Sequence, residues 1–151
     1  MKSFERIAVA LILSVLATSP ALAQTLDAGR GEVPLTVPKG YDPDVPTPLI
    51  VTLHGYSGNG QGHDRSWGIS ALADEYNVLT VAPDGEEEPG GARNRYWNAS
   101  DACCNFYDTQ TDDSGYLRRL IDEIKAEYNV DPGRVYIIGH SNGGFMSYRM
   151  A

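Results

Sequence analysis

The amino-acid sequence predicts an α/β fold built on a doubly wound, mostly parallel β-sheet. Short apolar runs typical of buried strands occur at residues 49–53, 78–82 and 135–138. A helical pattern or a helix-start signal follows each run along the chain. Such alternation favours parallel strands with helices on both faces of the sheet. Residues 24–151 are enough for one domain with a hydrophobic core.

The first 23 residues have the three parts of a secretory signal peptide. Lys2 and Arg6 supply the charged start, residues 7–17 the apolar middle, and residues 21–23 (Ala-Leu-Ala) a cleavage site. We expect the mature chain to begin at Gln24 and to be secreted, extracellularly or into the periplasm, without membrane association after cleavage. A membrane anchor is the alternative, but the apolar run is shorter than the ~20 residues that span a bilayer.

The chain is acidic, with 12 Lys and Arg against 20 Asp and Glu and a formal net charge of −8. Removal of Lys2, Glu5 and Arg6 with the signal peptide changes the net charge to −9. An acidic surface repels phosphate backbones, so we expect no nucleic-acid partner.

Residues 32–37 alternate weakly and precede a proline-rich connection, which indicates an edge strand and a rigid turn. The strand at residues 49–53 ends in a glycine-dense loop, residues 54–62. Apolar residues then recur at helical spacing, which predicts a helix capped by Asp64 or Ser66 and ending near Tyr76.

The strand at residues 78–82 is followed by a long polar and aromatic loop, residues 85–110. Loops of this length inside a compact domain are usually functional or disordered. Asp112 and Asp113 open the next helix, which runs to Tyr128 with its apolar side chains on one face. Residues 131–133 (Asp-Pro-Gly) then predict a turn into the strand at 135–138.

Cys103 and Cys104 are the two cysteines of the chain, and they are adjacent. In an exported protein we expect them to be oxidised, either to each other or to separate partners, although the chain holds no third cysteine. Adjacent thiols without nearby histidines do not match the usual metal-ligand spacings. We therefore expect no metal and no cofactor.

Ser141 lies in a G-x-S-x-G motif, between an apolar run and a helix start. Glycines two positions to either side let a sharp turn pack closely and push the serine hydroxyl outward. A serine nucleophile also needs hydrogen-bond donors for the oxyanion that forms. The backbone N–H groups of Asn142, after the serine, and of Tyr56, after the strand at 49–53, are the candidates for this oxyanion hole.

The general base is not evident among the three histidines. His54 and His140 lie beside glycines at strand ends, where a structural hydrogen bond is favoured, and His63 lies in a loop. With a serine on a strand–turn–helix motif the chain order is Ser, acid, His. No His, Asp or Glu follows Ser141.

The ordered motifs resemble those of exported α/β-hydrolases of the polyhydroxybutyrate depolymerase-like and feruloyl esterase-like group, of the LpqC type. They cover most of residues 24–151, and the combined set is fairly specific. The matching segments are residues 48–55, 71–74, 82–85, 97–98, 112–113, 131–136 and 139–146.

The resemblance implies a serine esterase with Ser141 as nucleophile and Tyr56 and Asn142 as oxyanion-hole residues. It implies an ester substrate, either a plant cell-wall phenolic or acetyl ester or a polyester. Tyr96 and Trp97, with Phe106 and Tyr107, are candidates to stack on an aromatic acid or a sugar, although aromatic clusters more often pack a loop.

The resemblance also implies that the triad acid and histidine belong to a C-terminal half outside this chain. Residues 149–151 end the sequence inside an apparent helix without a glycine cap, so we expect residues 24–151 to be the N-terminal part of the catalytic domain. Alone, it should be poorly stable and inactive. Family members often carry a cysteine soon after this helix, a partner for Cys103 or Cys104. A serine peptidase of the same fold and a non-catalytic binding relative remain the alternative functions.

Overall fold

A computed structural model describes residues 24–151, and the predicted signal peptide lies outside them. The chain forms seven strands, four α-helices and one 3₁₀ turn in this range. The strands are β1 (Gln24–Leu26), β2 (Val33–Thr36), β3 (Thr47–Leu53), β4 (Leu79–Val81), β5 (Glu86–Glu87), β6 (Arg95–Tyr96) and β7 (Val130–Gly139). The helices are α1 (Gly60–Trp67), α2 (Ala73–Tyr76), α3 (Asp113–Glu127) and α4 (Asn142–Met150), with the 3₁₀ turn at Ser70–Leu72.

The main sheet has five strands in the order β1-β2-β4-β3-β7. Strand β3 pairs in parallel with both β4 and β7, while β2 pairs antiparallel with β1 and β4. Strand β2 therefore lies inside the sheet rather than at its edge as predicted. The predicted turn at residues 131–133 is instead an irregularity within β7, where the register shifts between Thr47 and Leu49 of β3.

The two faces of the sheet carry different helices. Leu49, Val51 and Leu53 of β3 are fully buried in a cluster with α3 and with Met146 of α4. Because side chains alternate along a strand, Thr80 and Ala82 point to the opposite face, where they line a cavity with α1. This arrangement confirms the predicted sheet with helices on both faces.

Helix α3 matches its predicted pattern. The Asp112 side chain caps it by accepting a hydrogen bond from the Gly115 N–H at 2.8 Å. Leu117, Leu120 and Ile124 are fully buried, and burying each such side chain contributes roughly 1.5–3 kcal/mol. No helix among the described residues is long and apolar enough to cross a membrane.

Helix α1 begins earlier than predicted. Asn59, not Asp64 or Ser66, is its cap and accepts a hydrogen bond from the Gly62 N–H at 2.7 Å. The predicted single helix to Tyr76 is wrong: α1 stops at Gly68, whose φ of 70° lies in the left-handed region that ends helices, and the 3₁₀ turn and α2 follow as separate elements. Asp64 accepts the Ser70 N–H at 3.0 Å, which starts the 3₁₀ turn.

Candidate active site

Ser141 is the turn between β7 and α4, as the G-x-S-x-G motif predicts. Its φ of 52° and ψ of −118° are unusual for a residue with a side chain, and such strain costs about 1–3 kcal/mol and is concentrated at functional sites. A Cβ at Gly139 would overlap the Gly143 carbonyl and lie 2.9 Å from the Gly144 nitrogen. The serine itself is exposed. The turn therefore needs glycine on both sides and presents its hydroxyl to solvent.

The end of β3 lies directly beside this turn. Leu53 pairs with Gly139, and the His140 N–H donates to the Leu53 carbonyl at 3.2 Å. A Cβ built on Gly55 would lie 3.4 Å from the Ser141 Cβ. The loop that carries Tyr56 and the turn at Ser141 therefore meet, as the two predicted oxyanion donors require.

The two predicted donor amides are not used elsewhere. Asn142 is the first residue of α4, and the first four N–H groups of a helix have no intrahelical partner. Among residues 24–151, neither the Tyr56 amide nor the Asn142 amide donates a hydrogen bond to a turn, loop or cap. Both remain available to a ligand at Ser141.

The side chain of Asn142 has a separate role, which the sequence did not reveal. It is fully buried, its Oδ1 accepts the Trp97 N–H at 2.6 Å, and its Nδ2 donates to the Trp97 carbonyl at 2.9 Å. The Trp97 indole N–H donates to the His54 carbonyl at 3.0 Å. These contacts join segments 45 and 43 residues apart in sequence, so no local pattern signals them.

His54 is a structural residue. Its Nε2 accepts the Gly85 N–H at 2.8 Å, so its Nδ1 carries the ring hydrogen and donates to the Gly55 carbonyl at 2.7 Å. Burial lowers the pKa of His54 and keeps the ring neutral. With both ring nitrogens engaged, His54 cannot take a proton from Ser141.

His63 and His140 line a cavity together with His54. This cavity of about 270 Å³ lies between Gly55, Tyr56, His63 and His140. Burial, with the neighbouring His54 and His140, lowers the pKa of His63, and the buried Nε2 of His63 has no hydrogen-bond partner among the described residues. Ser141 lines neither this cavity nor the largest one described, which is about 460 Å³ and lies on the α1 side. We place the candidate site at the smaller cavity because His140, which lines it, directly precedes Ser141.

The aromatic residues of the 85–110 loop divide into two groups. Tyr96 and Trp97 are 1% and 0% exposed, so the structure revises the expectation that they stack on a substrate: both rings pack in the core. Phe106 and Tyr107 are 70% and 52% exposed and remain open to a ligand. Phe106 packs edge-to-face on Tyr56, with ring centroids 5.2 Å apart.

The side chain of Tyr56 forms a hydrogen bond that fixes this residue in its loop. Its hydroxyl donates to Glu88 Oε1 at 2.7 Å, and this hydrogen bond raises the pKa of Tyr56. Asn94 donates to the other Glu88 oxygen at 3.0 Å. The β5–β6 loop therefore fixes the side chain of the residue whose amide is one of the two predicted oxyanion donors.

Cys103 and Cys104 are bonded to each other, which is one of the two arrangements that the sequence left open. Within residues 24–151 there is no group of three or more His, Cys, Asp or Glu side chains that could hold a metal ion.

A family model described as "Putative esterase" matches residues 28–151. The chain belongs to this esterase family. Poly(3-hydroxyalkanoate) depolymerase C of Paucimonas lemoignei is 30% identical, across 95% of this chain and 34% of the relative. Feruloyl esterase B of Piromyces equi is 30% identical, across 73% of this chain and 19% of the relative. The chain thus spans about a third or less of the length of these two esterase relatives.

Solved structures agree with the esterase assignment at the level of the fold. Acetyl xylan esterase from Aspergillus awamori matches with a TM-score of 0.61 and 20% identity, covering 85% of this chain and 46% of that chain. A thermostable esterase matches with a TM-score of 0.54 and 22% identity, covering 85% and 36%. These likenesses confirm the predicted α/β-hydrolase fold.

Proposed function

We propose that the protein is a serine carboxylic ester hydrolase that works through an acyl-enzyme on Ser141. The observation that carries the proposal is the strained, exposed Ser141 turn, which adjoins two segments with unused backbone amides, those of Tyr56 and Asn142. A hydroxyl held beside preorganised donors is what acyl transfer requires. Membership of the esterase family supports the same chemistry.

In the proposed reaction, Ser141 Oγ attacks the ester carbonyl carbon while a base removes its proton. The carbonyl oxygen becomes an oxyanion and accepts hydrogen bonds from the Tyr56 and Asn142 N–H groups. The tetrahedral intermediate then expels the alcohol, which leaves with the proton, and water hydrolyses the acyl-enzyme by the reverse sequence of proton transfers.

The base and its acid are proposed to come from the part of the protein that corresponds to the remaining length of the relatives. His54 has no free nitrogen for this role. The chain order Ser, acid, His expected for this fold places both partners after residue 151. The catalytic domain would then continue beyond the chain described.

The substrate is proposed to be a plant cell-wall phenolic or acetyl ester, or a polyester. Support comes from the names of the relatives, a poly(3-hydroxyalkanoate) depolymerase, a feruloyl esterase and an acetyl xylan esterase. The predicted signal peptide, residues 1–23, would export the enzyme to polymeric substrates of this kind outside the cell.

The test uses the full-length protein and the variant Ser141→Ala, with Ser66→Ala on exposed α1 as the matched control. We expect hydrolysis of p-nitrophenyl acetate and methyl ferulate, and labelling by a fluorophosphonate probe. Ser141→Ala should lose at least ~10³-fold in kcat and all labelling, since the nucleophile is absent.

Ser66→Ala should behave as wild type. Hydrolysis of peptide amides in preference to these esters would instead indicate a peptidase. A folded wild-type protein that neither turns over esters nor reacts with the probe would refute the proposal and favour a non-catalytic relative.

A further inference from the structure

Trp97 uses all three of its hydrogen-bonding groups to connect the two sides of the candidate site. Its N–H and carbonyl pair with the Asn142 side chain at 2.6 and 2.9 Å, and its indole N–H donates to the His54 carbonyl at 3.0 Å. The three residues are 0–1% exposed. The His54 and Trp97 rings also pack against each other, with centroids 5.1 Å apart.

Each end of this connection belongs to a proposed oxyanion donor. Asn142 contributes its own backbone amide, and His54 precedes Tyr56 by two residues. His54 also fixes the intervening residue, because its Nδ1 donates to the Gly55 carbonyl at 2.7 Å. Hydrogen bonds therefore connect the side chain of Asn142, through Trp97, to the loop that carries Tyr56.

Asn98, the residue after Trp97, is itself fixed by hydrogen bonds to α3 and to the segment before it. The Asn98 N–H donates to Asp113 Oδ2 at 2.5 Å, and the Asn98 side chain donates to the Thr111 carbonyl at 3.0 Å. Asp113 is buried and forms an ion pair with Arg30. The connection is thus anchored to the first turn of α3.

We propose that Trp97 is a positioning residue, which sets the separation and direction of the Tyr56 and Asn142 amides. The inference rests on the proposed function, since it concerns the same oxyanion hole. Such donors act only when they are aimed at the position of the oxyanion. A shift of about 1 Å can cost ~10²-fold in rate. Trp97 therefore affects the transition state without touching the substrate.

The variant Trp97→Phe keeps a buried aromatic ring and the backbone pairing with Asn142, but it removes the indole N–H. The His54 carbonyl then loses a buried donor, and the Gly55–Tyr56 segment can rotate. We expect kcat for p-nitrophenyl acetate to fall about 10- to 100-fold with KM changed less than ~3-fold. The inhibition constant of phenylboronic acid, whose serine adduct places an oxygen in the oxyanion hole, should rise by a similar factor.

Tyr96→Phe in the full-length protein is the matched control. Tyr96 is the adjacent buried aromatic residue, and its hydroxyl contacts Thr109 and Thr111 rather than either donor segment. It should lower Tm without lowering kcat or weakening the boronic acid. The second variant, Asn142→Asp, removes the side-chain N–H that donates to the Trp97 carbonyl. It should lower kcat and raise the inhibition constant of phenylboronic acid as Trp97→Phe does.

The inference is overturned if Trp97→Phe keeps wild-type kcat, or if Trp97→Phe and Tyr96→Phe lose kcat equally for the same fall in Tm. It is also overturned if Trp97→Phe does not fold and Asn142→Asp is fully active. In each of these cases the wild-type protein is active and is labelled at Ser141. A wild-type protein that is inactive and unlabelled instead refutes the proposed function, and this inference falls with it.

Discussion

Gly143→Ala should reduce ester hydrolysis by misplacing the first turn of α4 against the end of β3. A Cβ at Gly143 would overlap the Leu53 carbonyl oxygen and lie 2.6 Å from the His54 carbonyl oxygen. Real Cβ atoms essentially never approach closer than 3.0 Å, so the two segments must separate by about 0.4 Å at His54 and by more at Leu53. Ser141 and the Asn142 amide then move away from the Tyr56 amide. Because a misplacement of about 1 Å costs ~10²-fold, we expect kcat to fall about 10- to 100-fold.

The adjacent Gly144 supplies a matched control. A Cβ there would lie 3.3 Å from the nearest atom, the Gly139 carbonyl oxygen, which requires a shift of only a few tenths of an ångström. Gly144→Ala replaces glycine inside a helix, which is worth about 0.5–1 kcal/mol in stability where the space allows it. We would measure kcat and KM on p-nitrophenyl acetate, with Tm, in the full-length protein. Wild-type kcat in Gly143→Ala, or an equal loss in both variants, would refute the reasoning.

The remaining predictions concern stability. Burial lowers the pKa of His54 below the ~6.5 of a free histidine. On acidification the unfolded chain therefore protonates this ring at a higher pH than the folded chain, so the free energy of unfolding decreases as the pH falls below that value. Between about pH 7 and about pH 5, the free energy of unfolding in urea should therefore fall more steeply for the wild-type protein and for the exposed variant His140→Gln than for His54→Gln. Parallel curves for the three proteins would contradict this. Asp113→Asn should cost about 2–4 kcal/mol of unfolding free energy in urea, since it leaves the largely buried Arg30 without its closest carboxylate. Asp131→Asn, at a side chain that is 27% exposed against 0% for Asp113, should change the unfolding free energy far less, and equal effects would rule out the role given to burial.

The sequence predicted most accurately those elements whose local pattern matches their environment. Helix α3 has an acidic cap and apolar residues spaced three and four apart, and this spacing places those residues on the face that packs against the core. Helix α1 was placed too late in the chain because Gly60 and Gly62 are typical of loops. They are tolerated there because Asn59 caps the helix and because Gly60 packs against the carbonyl of Ala82, the residue that follows β4. A contact across 22 residues decided the conformation against the local preference.

The candidate site shows the same division between local and distant information. Ser141 was predictable because a sharp turn needs glycines at fixed neighbouring positions, and those positions are visible in the motif. Trp97 was not, because an aromatic residue in a polar loop has the same local sequence whether its ring stacks on a ligand or packs in the core. Its environment is set by Asn142 and His54, 45 and 43 residues away. Trp97, which the sequence favoured for contact with substrate, is therefore better explained as the link between the two segments that hold the proposed oxyanion donors.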